Sequence, residues 1–191
     1  WLNDVVINTY LENAAQRAND KVGRLKSQPA PFYALSSHWL TTFNNKGPAE
    51  VAKWLKRRPK IMGNDFYKCE VLLLPVNTGA HWTLLAISGT KRTVQYYDSM
   101  RVGGAQSKLE NAHALLREII GPGYNVNEWS FSIQNSSQQS NGNDCGVFTS
   151  INGLCLLRGL KPTDQFTYRD IPDLRKQMAL TLMKGSFKDE F

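Results

Sequence analysis

EVLLLPV at residues 70–76, HWTLLAIS at 81–88 and TVQYYD at 93–98 are three short runs rich in Val, Leu, Ile, Thr and Tyr, the residue types that suit a pleated strand. The turn-like Asn77-Thr78-Gly79 and Ser88-Gly89 separate them, as small and polar residues do between strands. The first two runs are apolar enough to be central strands covered on both faces. If 81–88 and 93–98 pair as an antiparallel hairpin, the start of one strand lies beside the end of the other, and His81 and Asp98 become neighbours.

On either side of these runs the spacing turns helical. Residues 4–24 carry Val5, Val6, Tyr10, Leu11 and Ala14 at roughly helical intervals, with Asn3 or Asp4 as N-cap and Pro29 and Pro31 beyond the end. Residues 38–44 and 49–57 predict two shorter helices parted by the turn signals of Asn44–Pro48. Leu109, Ala112, Leu115, Leu116 and Ile119 predict a helix over 105–120, closed by Gly121-Pro122. Trp129–Ile133 is a further strand candidate, and the small, polar stretch Gln134–Asn143 is a loop. A helical run from about Cys145 to Leu157 and an amphipathic helix over roughly Ile171–Lys184 complete the chain. With no internal repeat and no dividing linker, the expectation is an α+β fold in a single domain over 1–191: helices, then a sheet, then helices.

Composition bounds the function. At 191 residues, 41% hydrophobic and 20% charged, the chain is of ordinary globular type and long enough to bury a core. Its longest apolar runs, such as Val71–Val76, are strand-sized and fall far short of the roughly 18 residues of a membrane helix. Three cysteines, at 69, 145 and 155, exclude a dense disulfide framework and point to a reducing compartment. No CxxC or CxxH pair occurs, so neither a structural zinc site nor any other metal is expected. The chain opens on Trp1 without Met or a targeting segment, which suggests a domain excised from a longer protein. The net charge is +7, densest at Lys53, Lys56, Arg57, Arg58 and Lys60. That cluster reads either as a solvated helix end complementing the macrodipole or as a surface attracting an acidic partner. No nucleic-acid-binding signature accompanies it.

The chemistry centres on QSNGNDCGVF at 139–148, a polar loop running into a cysteine that begins an apolar helix. Unpaired N–H groups and the dipole at a helix N-terminus favour a thiolate and can receive an oxyanion. Gly146 would let a substrate backbone come close. Cys145 is thus either a nucleophile or a small buried hydrophobe opening a core helix. A thiolate nucleophile calls for a histidine base, itself oriented by an acceptor. Of three histidines, His38 and His113 lie in helical segments and read as structural, whereas His81 sits at a strand rim beside Asp98. A structural salt bridge at the hairpin base is the other reading of that pair.

The order His81-Trp82, then Tyr97-Asp98-Ser99-Met100, then Gln139 six residues before Cys145 in Asp144-Cys145-Gly146, resembles the SENP-type SUMO proteases. Trp1-Leu2-Asn3-Asp4, VAKWLK at 51–56 and DIPDLRKQM at 170–178 resemble family segments in the same relative places, so the likeness covers essentially the whole chain. The resemblance implies a papain-like cysteine protease fold of the SENP and adenain type, a central mixed sheet flanked by helices. It implies Cys145 as nucleophile, His81 as base and then acid, Asp98 as the group holding the imidazole tautomer, and Gln139 with the Cys145 N–H as oxyanion donors. Gln138 is adjacent, and the six-residue offset is what favours Gln139. Family aromatics matching Trp1 and Trp82 form a tunnel over the modifier's C-terminal Gly-Gly, a slot that admits only residues lacking a Cβ. Without the resemblance, Trp82 reads as strand packing. Asp4 resembles a position that pairs with a basic residue of the modifier, its other reading being an N-cap, and Met100 resembles a tunnel-lining position. Trp39, Trp54 and Trp129 read as core or packing residues, and Cys69 and Cys155 as buried and inert.

The function so implied is cleavage after the Gly-Gly of SUMO, in conjugates or in its precursor, by a monomer needing no cofactor. SUMO and SUMO-conjugated proteins are the expected partners, and no nucleic acid or membrane is. The family analogy points to the nucleus or its envelope. The alternatives are a deneddylase of the same fold and a catalytically dead module that only binds the modifier.

Overall fold

The computed structural model describes residues 1–57, 59–185 and 187; Arg58 of the basic run lies outside the described residues. Five strands lie side by side in chain order: β1 (Phe32–Ala34), β2 (Val71–Asn77), β3 (Trp82–Ser88), β4 (Thr93–Tyr97) and β5 (Ser130–Ile133). β2, β3 and β4 form an antiparallel meander, with Leu72 opposite Ile87, Asn77 opposite Trp82 and Leu84 opposite Tyr97. β1 and β5 add to its edges in parallel, which makes the sheet mixed.

Helices cover both faces, and for that reason β2 and β3 are apolar at nearly every position. Side chains alternate between the faces along each strand. Leu72, Leu74, Val76, Leu85 and Ile87 enter one cluster, which Trp39, Val51, Leu55, Leu115 and Leu116 complete from the helices. Those helices are α2 (Trp39–Lys46), α3 (Pro48–Ala52), α4 (Trp54–Arg57) and α5 (Ala105–Ile120), preceded in the chain by α1 (Asp4–Lys21). Leu73, Leu84 and Ala86 enter the other cluster, with Ile7 and Leu11 of α1, Phe148 and Leu154 of α6 (Cys145–Leu157) and Met178 of α7 (Ile171–Lys184). The buried Trp39 donates its indole N–H to the Pro75 carbonyl at 2.8 Å, so the indole fills the core without a stranded donor.

α5, α6 and α7 begin and end where the apolar spacing predicts. α1 is shorter than expected: the chain leaves the helix through Gly23 at φ 68, a left-handed conformation that only glycine adopts without cost. The expected 49–57 helix is two, α3 and α4, meeting at Lys53. Trp54, read as a core or packing residue, is 37% exposed. β1 is a strand the residue pattern does not announce. Three residues are too few for a period, and a side chain completes its edge: the buried Asn19 donates to the Phe32 carbonyl at 2.7 Å and accepts the Phe32 N–H at 3.1 Å. Main-chain groups that would lie open on an edge strand are thereby satisfied.

Candidate active site

α6 is buried along all but one of its residues, Leu156, because CGVFTSINGLCLL is apolar nearly all round. A Cβ on Gly153 would lie 2.5 Å from Leu11 Cδ2 and 3.1 Å from Leu73 Cδ1, so α6 lies close against α1 and β2. That close packing fixes where its first residue, Cys145, emerges. Opposite it, the turn between β2 and β3 is closed by Asn77, whose Oδ1 accepts the Gly79 N–H at 2.8 Å, and by the Thr78 N–H on the His81 carbonyl. His81 therefore stands at the entry of β3, and Asp98 at the exit of β4.

The hairpin brings the two together as its register requires: His81 Nε2 lies 2.7 Å from Asp98 Oδ1, with side-chain exposures of 12% and 5%. Asp98 also accepts the N–H groups of Met100 at 2.8 Å and Val102 at 3.2 Å. Burial pushes its carboxyl up, but the His81 hydrogen bond and these N–H groups outweigh that and hold it below the ordinary carboxylate range. A carboxylate on Nε2 keeps a proton on that nitrogen. The other ring nitrogen, Nδ1, is buried and has no conventional hydrogen-bond partner among the described residues. Its neighbour is Cys145, and each shifts the proton affinity of the other. The Asp98 hydrogen bond first, and contact with Cys145 second, raise His81 to about 9. Burial raises the Cys145 thiol; the His81 contact, the Trp82 and Gly146 N–H groups and the His81 charge together more than reverse this, leaving it below its ordinary value. The two shifts run in the directions that favour a thiolate beside an imidazolium.

The 134–144 loop is tied down at several points. Asn152, buried in α6, donates to Ser136 Oγ at 3.1 Å, and the Gln134 N–H bonds the Tyr96 carbonyl. Gln138 Nε2 donates to the carbonyls of Asp98 and Ser136, at 3.2 and 2.9 Å. Gln139 accepts from Ser99 Oγ on its Oε1 at 2.7 Å and donates from Nε2 to the Asn141 carbonyl. Asn141 Oδ1 in turn accepts the N–H groups of Asn143 and Asp144. The carboxylate of Asp144, the residue before α6, receives Asn141 Nδ2 at 2.7 Å and the guanidinium of Arg175 from α7. It caps none of the N–H groups of α6.

The remaining expected residues fall in different places. Trp1 is 71% exposed, and Met100 is also exposed. Trp82 is only 5% exposed and shares a cluster with Ile7, Tyr97 and Cys145, and its backbone N–H is turned to the Cys145 thiol. The N-cap of α1 is Asn3, whose Oδ1 accepts the Val6 N–H at 3.0 Å, while Asp4 pairs with His38 Nε2 at 3.7 Å. Gly146 requires correction. A Cβ there would meet Ile7 Cδ1 at 3.0 Å and Leu2 Cβ at 3.1 Å, so the missing side chain makes room for the N-terminal segment and not for a substrate. His113 lies among the rings of Tyr124 and Phe131, as its structural reading expects. Cys69 and Cys155 are buried with thiols pushed up by burial, Cys155 to about 11. Among the described residues no group of three His, Cys, Asp or Glu side chains is placed to hold a metal ion. Sequence reasoning missed Ser99, Asn152 and Arg175. Ser99 and Arg175 lie within segments quoted for the family likeness, but the residues alone do not give their contacts; nothing local marks Asn152.

Comparison with known proteins adds the rest. The chain is 27% identical over 187 residues to a sentrin-specific protease of Caenorhabditis elegans, covering 96% of this chain and 25% of that protein. It is 30% identical over 196 residues to human sentrin-specific protease 5, covering 99% of this chain and 23% of that one. It thus spans about a quarter of the length of these two relatives. Among solved structures, the Ulp1-like SUMO protease catalytic domain of Chaetomium thermophilum superposes at a TM-score of 0.92 with 31% identity, over 100% of this chain and 75% of that one. The C-terminal Ulp1 protease domain solved in complex with Smt3, the yeast ortholog of SUMO, gives 0.75 with 25% identity, over 96% and 77%. Residues 1–186 match the Ulp1 protease family, C-terminal catalytic domain, and to that family this chain belongs.

Proposed function

We propose that this chain is one catalytic unit, a cysteine protease that cleaves the bond after the C-terminal Gly-Gly of SUMO in lysine conjugates, in the precursor, or in both. The observation that carries the reading is the buried row of Asp98, His81 and Cys145 at the N-terminus of α6, with the thiol lowered and the imidazole raised. Support for the substrate comes from the similar Ulp1 domain bound to Smt3.

The Cys145 thiolate attacks the glycine carbonyl carbon. Its oxygen takes up the negative charge between the Cys145 N–H and one side-chain N–H of Gln139. Gln138 is the poorer candidate because both of its amide protons are spent on carbonyls. The C–N bond breaks as His81 passes its Nδ1 proton to the departing amine, and a thioester to Cys145 remains. His81, now neutral, takes a proton from water, which attacks the thioester; the glycine carboxylate leaves and Cys145 returns as thiolate. Asp98 keeps Nε2 protonated throughout, so that Nδ1 is the nitrogen that exchanges protons.

Trp82 and the exposed Trp1 form the walls of a slot for Gly-Gly, with Met100 beside it, and Asp4 exchanges its contact with His38 for a basic residue of the modifier. A reducing intracellular setting belongs to the same proposal, because a thiolate of this kind is the form that oxidants attack.

The test offers the protein SUMO and the neddylation modifier, each with a C-terminal fluorogenic amide. SUMO reporter is turned over faster, and Cys145→Ser abolishes turnover while still binding SUMO. Faster cleavage of the neddylation reporter would overturn the substrate, and turnover by Cys145→Ser would overturn the chemistry.

A further inference from the structure

A primary amide is a poor oxyanion donor unless something stops it from turning over. Rotation by half a turn about its last bond exchanges oxygen for nitrogen and presents a lone pair to a negative charge. Gln139 would meet this problem at a loop position, on a partly exposed side chain. Its amide is nevertheless held from both sides. Ser99, almost wholly buried at the exit of β4, donates its hydroxyl to Oε1 at 2.7 Å, and Nε2 gives one proton to the Asn141 carbonyl. The backbones are coupled too, since the Gln139 N–H donates to the Ser99 carbonyl at 3.0 Å. In the turned orientation Oε1 would face the Asn141 carbonyl, acceptor against acceptor, and the Ser99 hydroxyl would have to give up its acceptor. In the observed orientation an Nε2 proton is left over.

We propose that Ser99 is the positioning residue of the oxyanion site, holding the Gln139 amide so that its second N–H stays available to the substrate oxygen. This rests on the reading of Gln139 as oxyanion donor. It makes the residues following β4 do two jobs: Asp98 orients the base and Ser99 the oxyanion donor. Both groups of the catalytic machinery are thereby referenced to one rigid strand end.

The experiment compares Ser99→Ala, Gln139→Ala and the double variant in the full chain, with the SUMO reporter for kcat and KM and iodoacetamide for the thiolate. Alkylation needs the thiolate but no oxyanion donor, so it separates this role from damage to His81, Asp98 or the fold. Gln139→Ala lowers kcat by about 10²–10³-fold, the usual effect of losing one such donor. Ser99→Ala lowers kcat by about tenfold, the scale of one hydrogen bond. In that variant KM and the pH profile of alkylation stay as in the parent, and the double variant is no slower than Gln139→Ala alone. A parental kcat in Gln139→Ala would overturn the reading of Gln139 and the inference with it. If Gln139→Ala is slow, a parental kcat in Ser99→Ala overturns the inference alone. So would a shifted alkylation profile, or losses that multiply in the double variant.

Discussion

Cys145 and Cys155 lie on the same helix and are buried almost equally, at 2% and 4% exposure, yet their thiols are displaced in opposite directions. Burial raises both. At Cys155 the next contribution, the charge of Arg158, leaves the thiol at about 11, whereas at Cys145 the imidazole and two main-chain N–H groups reverse the sign. The helix thus has one reactive end and one inert stretch, and depth in the core does not separate them. What separates them is position along α6: only its first residue can receive the N–H of Gly146 while facing the rim of the β2–β3 turn.

The largest test of that contrast removes the imidazole. His81→Ala is expected to lower kcat by about 10²–10⁴-fold, the range for loss of a general acid–base. It also makes Cys145 resemble Cys155, so iodoacetamide labelling at pH 7, followed by mass spectrometry, should fall to the level of the buried thiols. In the parent protein Cys145 is labelled first, while Cys69 and Cys155 react only on unfolding. Continued rapid labelling of Cys145 in His81→Ala would mean that the helix terminus alone lowers the thiol.

Much of this contrast is legible in the amino-acid sequence. The hairpin periodicity places His81 beside Asp98, and the polar loop ahead of an apolar run places Cys145 at a helix start. The parts that escape are those where a side chain substitutes for a local rule. β1 is only three residues long and is completed by Asn19, thirteen positions before its partner Phe32. Gly146 suggests an approach path for substrate, but the space it leaves is taken by Leu2 and Ile7, which only tertiary packing brings there. Arg175 lies within the family-like segment at 170–178, yet its contact stays hidden because it depends on where α7 docks.

Arg175 offers the next, smaller test. Its guanidinium and Asn141 hold the Asp144 carboxylate, and Asn141 also carries the carbonyl that receives Gln139. Arg175→Ala releases one end of that chain without touching His81 or the inert stretch of α6. A loss of about tenfold in kcat is expected, the scale of one hydrogen bond to a charged group, with KM little changed and Cys155 as unreactive as before. An unchanged kcat would show that the other ties of the loop hold Gln139 in place without Arg175.

The smallest effect concerns stability, and its sign follows from the same two shifts. His81 in the folded protein stays protonated up to about 9, whereas in the unfolded chain it loses its proton near 6.5. Between those values the folded state binds more protons at this site, so His81 by itself makes stability fall as pH rises. Cys145 acts the other way: its thiol is lowered on folding, so between its folded and unfolded values the folded state binds fewer protons and stability rises with pH. The two contributions oppose each other, so the denaturation midpoint of the parent should depend less on pH between 7 and 8 than that of Cys145→Ser. Cys145→Ser removes one side of the balance. Its midpoint should then decline with pH in that interval, though less than the full His81 shift allows, because part of that shift comes from Cys145 itself. A flat profile in Cys145→Ser, or a steep one in the parent, would mean that the two groups do not share a thiolate–imidazolium pair in the resting protein.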